Sequence, residues 1–141
     1  MKILNWLLPA KDQNSKVATL LLAARVIFAL LLASHGLQKL QGFESLSATF
    51  PDPLGIGSQL SLSMAIFGEL VCSTAVIFGF LTRLAVIPMA FTMTVAFFIT
   101  HGGSLAEGEL AFAYLVVFVL LFFAGPGKYS IDGLLAGKFL K

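Results

Sequence analysis

The sequence predicts an all-α membrane protein, a bundle of four antiparallel transmembrane helices with both termini on the cytoplasmic side. Three observations predict it. The 141 residues are 58% hydrophobic and 11% charged, against roughly 45–50% and about 25% in a soluble domain. The apolar residues fall into runs close to the ~20 needed to cross a ~30 Å hydrocarbon core. The basic residues flanking those runs collect on one side.

Residues 1–16 read as an N-terminal interfacial segment. Lys2 before an apolar run resembles a signal peptide, but Pro9 interrupts the run and a longer one follows. A segment lying in the membrane interface, with Trp6 at headgroup level, is the favoured reading. The membrane domain covers 17–126, with spans at about 17–40, 60–81, 84–101 and 109–125. A turn of only Thr82-Arg83 makes spans two and three antiparallel neighbours. Pro88 falls in the first turns of span three, where a missing N–H costs little. Gly102-Gly103 stops span three. Gly125-Pro126-Gly127 ends span four, and no break is read at mid-membrane in any span.

The joint between spans one and two, residues 41–59, is long for a compact domain. It reads as a short helix over 43–50, with Phe43, Leu46 and Phe50 on one face, then a turn set by Pro51, Pro53, Gly55 and Gly57. Residues 127–141 read as a cytoplasmic segment with a short helix, Ser130 capping it and Asp132 in its first turn.

Lys and Arg fix the orientation. With the termini and the Thr82-Arg83 turn on one side, that side holds Lys2, Lys11, Lys16, Arg83, Lys128, Lys138 and Lys141. The other holds Lys39 against Glu44, Asp52, Glu107 and Glu109. The expectation is a multi-pass protein of the cell inner (cytoplasmic) membrane, whose first partner is the lipid bilayer. The net charge of +2, without a basic stripe, argues against nucleic acid. The single Cys72 excludes an internal disulfide and reads as a small packing residue.

Two charges lie inside the spans. Arg25 sits about 12 Å from the cytoplasmic edge and Glu69 about 16–17 Å from it, at 1.5 Å per residue. A lone charge there costs roughly 2.5–3.5 kcal/mol even on the lenient insertion scale. The similar depths on antiparallel helices predict a buried Arg25–Glu69 ion pair. Ala29, Leu32, Gly36 and Lys39 share the face of Arg25, and Ala65, Cys72, Ser73 and Val76 surround Glu69. The pair reads either as a device fixing helix register or as a chemical group.

A second polar group gathers at the outer ends: His35, Lys39, His101, Glu107 and Glu109. The histidines suit proton relay, and the group is equally readable as solvated interface. Metal binding by His35, His101 and Glu109 would need ligands from three helices without a spacing motif, so no metal is predicted. Arg83 and Asp132 mark the inner side. Phe97, Phe98, Phe112 and Tyr114 are candidates to line a ring-binding slot near the outer mouth.

Three motifs resemble the DoxX family: Arg25 with Gly36-Leu-Gln-Lys39; Phe67-Gly-Glu69-Leu followed by Gly79-Phe-Leu-Thr-Arg83; and Gly125-Pro-Gly-Lys-Tyr-Ser-Ile-Asp132. The resemblance covers about residues 18–135. Where the family's second span usually carries another glycine, this chain has Cys72-Ser73. The resemblance implies a small four-span membrane protein. Some members are subunits of a thiosulfate:quinone oxidoreductase or a terminal quinol oxidase, others belong to oxidative-stress complexes, and most have no assigned reaction. It matches Arg25, Lys39, Glu69 and Arg83 as polar positions without giving them roles.

Three functions follow as alternatives: a quinone-interacting subunit of a membrane oxidoreductase, a non-catalytic scaffold or assembly partner, and a small proton-coupled carrier. With no cysteine pair and no haem-ligand pair on facing helices, an electron carrier would be the quinone or another redox subunit. Whether the chain is itself an enzyme, and whether it forms a homo-oligomer, stays open at this level.

Overall fold

A computed structural model describes residues 6–9 and 13–139. The N-terminal lysines Lys2 and Lys11, most of the interfacial segment and Lys141 lie outside the described residues. The described chain is helical, with no strand among the described residues. Among the described residues, four helices are long and apolar enough to cross a membrane: α1 (Ser15–Gln41), α3 (Ser58–Phe78), α4 (Thr82–Thr100) and α5 (Leu105–Ala124). The described residues also include two shorter helices, α2 (Phe43–Leu46) and α6 (Ile131–Phe139). The protein is a multi-pass membrane protein.

α1 begins where Asn14 Oδ1 accepts the Lys16 N–H at 2.8 Å, satisfying one of the free donors of a first turn. Its buried face is Ala18, Arg25, Ala29, Leu32, Ala33 and Gly36, the face that helical periodicity predicts. α2 is shorter than the sequence suggests, ending at Leu46 before turns that lead into Pro51.

α3 stops at Phe78, three residues before the expected end. Gly79 adopts φ 70°, and the Phe80 N–H reaches back to the Ala75 carbonyl at 2.9 Å, the bond of a glycine-terminated helix. The turn is therefore Gly79–Leu81, and Thr82-Arg83 already belongs to α4. Pro88 is the helix-interior residue of α4 rather than a first-turn one. Its ring removes one ladder hydrogen bond, and the Thr92 hydroxyl donates to the Pro88 carbonyl at 2.9 Å.

Two spans widen where uninterrupted α-helix was expected. Phe67–Cys72 in α3 and Val95–Thr100 in α4 are π-helical, a local form that recurs at functional sites. In α5, Gly108 leaves helical geometry, at φ −110° and ψ 16°. A side chain there would meet Phe97 at 2.8 Å, so glycine lets the start of α5 close over the end of α4.

The four long helices pack in a ring, α1 on α3, α3 on α4, α4 on α5 and α5 on α1. The core runs between them through Ala29, Leu32, Val76, Val86, Met89, Tyr114 and Phe118. Large apolar side chains such as Leu20, Leu120 and Phe123 point outward, as a bilayer solvent demands.

Candidate functional site

The glycines set the register of α1 against α3, and the register decides the partners of the buried charges. At Gly36 a Cβ would come within 2.7 Å of the Leu70 nitrogen and 2.8 Å of the Glu69 carbonyl carbon. Glu69 is therefore level with Gly36, less than a turn from Lys39. At Gly79 a Cβ would come within 2.5 Å of Arg25 Nη1, so Arg25 is level with the other end of α3. Arg25 and Gly36 are eleven residues apart, or roughly 16 Å along the helix at 1.5 Å per residue.

The expected Arg25–Glu69 ion pair is thus replaced by two separate arrangements. Glu69 Oε2 pairs with Lys39 Nζ at 2.6 Å. Arg25 Nη1 donates to the Pro126 carbonyl at 2.6 Å, and Nη2 to the Tyr129 carbonyl at 2.9 Å. The depth estimate failed because it measured each residue from an assumed span edge. Close contact at Gly36 and Gly79 sets the real register.

At the end of the bundle where α1 begins and α5 ends, here the terminal end, Asp132 is 2% exposed. Its carboxylate accepts the Leu81 and Thr82 N–H groups at 2.9 Å each, and its own N–H donates to the Gly79 carbonyl. Leu81 sits at φ 47°, a conformation that costs a non-glycine residue about 1–2 kcal/mol. The carboxylate holds that turn and caps the positive N-terminus of α4. The Ser130 hydroxyl accepts the Gly133 N–H at 2.9 Å, as expected of a cap. Arg83 lies beside this clamp, donating to the Phe123 carbonyl at 3.2 Å and placing its guanidinium 4.9 Å from the Trp6 ring centre.

At the opposite end, the five expected polar groups do not converge. Lys39 turns inward to Glu69. The His35 ring packs edge-on to Tyr114, with centroids 6.3 Å apart. His101 Nδ1 lies 2.7 Å from the Ala96 carbonyl. Glu107 and Glu109 are exposed. Among the described residues no three His, Cys, Asp or Glu groups stand close enough to hold a metal, so His35, His101 and Glu109 are not assembled as ligands. Phe97 packs directly on Phe98 and Phe112, at 4.9 and 5.0 Å between centroids. The four rings do not line one slot together: Phe97 and Tyr114 are buried, Phe98 is exposed, and Phe112 lines an open depression on α5 with Leu105, Ala106, Glu109, Ala113 and Val116.

The slot lies elsewhere. A cavity of about 590 Å³ opens between α3 and α4 under the 50–56 segment, a size typical of small-molecule sites. Phe50, Pro51, Pro53, Leu54 and Ile56 form its roof. Met64, Ala65 and Phe67 of α3 face Pro88, Phe91 and Val95 of α4. Lys39 and Glu69 bring the ion pair to its wall. Phe67, Ile87 and Phe91 are each about half exposed, so the cavity opens sideways toward the lipid. Both π-helical stretches contribute wall residues, Phe67 and Glu69 from one, Val95 and Ala96 from the other.

The polar valences at the wall are few. The Thr92 hydroxyl proton goes to the Pro88 carbonyl and that of Ser61 to Asp52 at 2.8 Å. Glu69 Oε2 is taken by Lys39. An ammonium carries three donors and a carboxylate about four acceptor positions, so both groups retain capacity facing the cavity. Sequence reasoning found Lys39 and Glu69 separately and missed both their pairing and the roof. The small residue at Gly36, one turn before Lys39, was the available signal.

The family model for DoxX matches residues 20–102, a stretch that carries Arg25, Lys39, Glu69 and Arg83. The chain belongs to the DoxX family. Inner membrane protein YqjF of Escherichia coli K12 is 31% identical over 84% of this chain and 93% of its own length. Uncharacterized membrane protein Rv3486 of Mycobacterium tuberculosis is 30% identical over 77% of this chain and 76% of its own. An uncharacterized protein of Haemophilus influenzae is 29% identical over 82% of each. No solved structure matches the chain.

Proposed function

We propose that this DoxX-family protein is an inner-membrane subunit that binds a lipid-soluble quinone in the cavity beside Glu69 and works with a partner redox subunit. One observation carries the reading: a laterally open apolar cavity of about 590 Å³ with the Lys39–Glu69 pair on its wall. The printed name of the Escherichia coli relative supports the inner-membrane location. The placement of Lys16, Lys128, Lys138 and Arg83 at the terminal end supports a cytoplasmic position for that end.

The donor set suits such a molecule. A quinone has an apolar ring and tail, which the aromatic and proline walls would cover. Its carbonyl oxygens are acceptors for Lys39 N–H groups, and the hydroxyls of the reduced form are donors to the Glu69 carboxylate. When bound it would supply two-electron, two-proton carriage. The chain itself contributes the dry slot, the orientation of the ring, and a carboxylate able to hold a proton at Oε1. Electrons would enter or leave through the partner subunit.

The test is a titration of the purified protein in lipid nanodiscs with a short-chain quinone. Saturable binding is expected, reduced at least about tenfold in Met64→Trp, which places a larger side chain against the cavity without touching the ion pair. Absence of saturable binding in folded protein would overturn the reading. No quinone binding, together with co-purification of a fixed partner and a need for Arg25 and Glu69 in folding alone, would favour the scaffold alternative.

A further inference from the structure

We infer that the Lys39–Glu69 pair makes the cavity a charge filter, admitting neutral lipid-soluble molecules with a hydrogen-bonding head and excluding amphiphiles whose head is anionic or cationic. The inference rests on the cavity being a ligand site, and it extends that reading from one molecule to a class.

The wall is electrically closed. Lys39 and Glu69 meet at 2.6 Å, and Glu69 is 5% exposed, so each charge has its counter-charge in place. The remaining walls are Phe, Pro, Leu, Ile, Met, Val and Ala side chains with three hydroxyls: Thr92 donates to the Pro88 carbonyl, Ser61 donates to Asp52, and Thr100 is exposed. An anionic head entering this space has one cation to seek. Taking Lys39 from Glu69 leaves a carboxylate unpaired in an apolar wall, and sharing Lys39 leaves net negative charge there. A cationic head meets the mirror-image problem at Lys39. Burying an uncompensated charge is costly in either case. A neutral head with an acceptor and a donor disturbs nothing, because Lys39 and Glu69 each keep their partner while using spare valences.

Lys39 is the more exposed half. Its side chain is a quarter exposed while that of Glu69 is 6%, and its stem comes from the last turn of α1. The pair therefore separates by Lys39 swinging toward the loops, not by Glu69 leaving the wall. Removing one partner should consequently convert the filter rather than abolish it.

The experiment uses the full chain in phosphatidylcholine nanodiscs and three probes with one alkyl tail. These are a 4-alkylphenol, a 4-alkylbenzoate and an alkylbenzyl-trimethylammonium, each affinity corrected for partition into protein-free nanodiscs. In the wild type the phenol should bind at least about tenfold tighter than either ion. Glu69→Gln should reverse the order in favour of the benzoate, and Lys39→Gln in favour of the ammonium. The wild-type series alone decides the matter if either variant fails to fold. Benzoate or ammonium binding as tightly as the phenol in the wild type would overturn the filter and leave the ligand site standing. No saturable binding by any probe would overturn both.

Discussion

The two ends of the bundle use buried charge in opposite ways. At the terminal end, Arg25 is 1% exposed and gives two of its donors to backbone carbonyls, while the Asp132 carboxylate receives two backbone N–H groups. The partners are main chain, so Arg25 fastens α1, and Asp132 the turn between α3 and α4, to the segment after α5. At the loop end, Lys39 and Glu69 bond side chain to side chain on the wall of a cavity. A charge bonded to the backbone of another segment holds the fold, even with Arg25 Nε buried and unpartnered. A charge left with unused valences beside an apolar space can hold something else. That contrast assigns structure to one end and binding to the other, more firmly than the mere fact of intramembrane charge.

The largest expected effect tests the terminal end. Arg25→Ala leaves the Pro126 and Tyr129 carbonyls without donors, and hydrogen bonds to charged groups are worth roughly 1.5–3 kcal/mol each. A loss of about 3–5 kcal/mol is expected, measured by chemical unfolding in detergent. Arg25→Lys should recover only part of it, because an ammonium lacks the guanidinium fork that reaches both carbonyls. If Arg25→Ala unfolds at the wild-type midpoint, the clamp is not holding the bundle.

Gly36 sets the approach of α1 to α3 at the loop end and should show the next largest effect. Its Cβ would press on the backbone at Leu70 and Glu69, which cannot rotate away. Gly36→Ala should cost roughly 1–3 kcal/mol by overpacking and should also weaken quinone binding, since the displaced segment carries Glu69. Loss of stability with unchanged binding would separate the cavity from the register that places its carboxylate.

A double-mutant cycle sharpens the comparison further. Arg25→Gln and Glu69→Gln should be additive within about 0.5 kcal/mol, as expected of sites without shared partners. Lys39→Gln and Glu69→Gln should couple by roughly 1–2 kcal/mol, less than a fully enclosed pair because Lys39 reaches water. Both cycles are read from unfolding midpoints, and coupling in the first would restore the Arg25–Glu69 pairing that hydropathy arithmetic suggests.

The failure of that arithmetic shows what the sequence carries. Helix faces were legible, because periodicity fixes which residues share a side: Arg25, Ala29, Leu32 and Gly36 are all buried on α1. The Gly-Pro-Gly stop after α5 and the Ser130 cap were legible as local chemistry. Axial register was not, since it depends on how closely two helices approach, and that lies in the pairing of Gly36 with Leu70 and of Gly79 with Arg25. The cavity was hidden for a related reason. Its roof is a loop with no periodic signal, and its walls widen through two π-helical stretches that composition does not announce.

The smallest effect concerns that roof. Asp52 is exposed, yet its carboxylate accepts the Ile56 N–H at 2.9 Å, the Gly57 N–H at 2.8 Å and the Ser61 hydroxyl at 2.8 Å. These bonds, that from Gly57 foremost, hold the carboxyl below its ordinary value. The folded form thus favours the ionised group, so its contribution is present above the ordinary carboxylate range and fades as pH falls through the lowered value. Acidification should loosen the 50–57 segment while the Arg25 clamp keeps the bundle folded. Hydrogen exchange at the Ile56 and Gly57 amides, corrected for intrinsic rates, should show protection lost in acid for the wild type and already lost near neutrality in Asp52→Ala. The melting of the bundle should move little, since an exposed loop carboxylate closes no core contact. If the amides stay protected in Asp52→Ala, the roof is held by its prolines and its packing over Met64 and Phe67, and the cavity mouth is a fixed feature rather than one that acid can open.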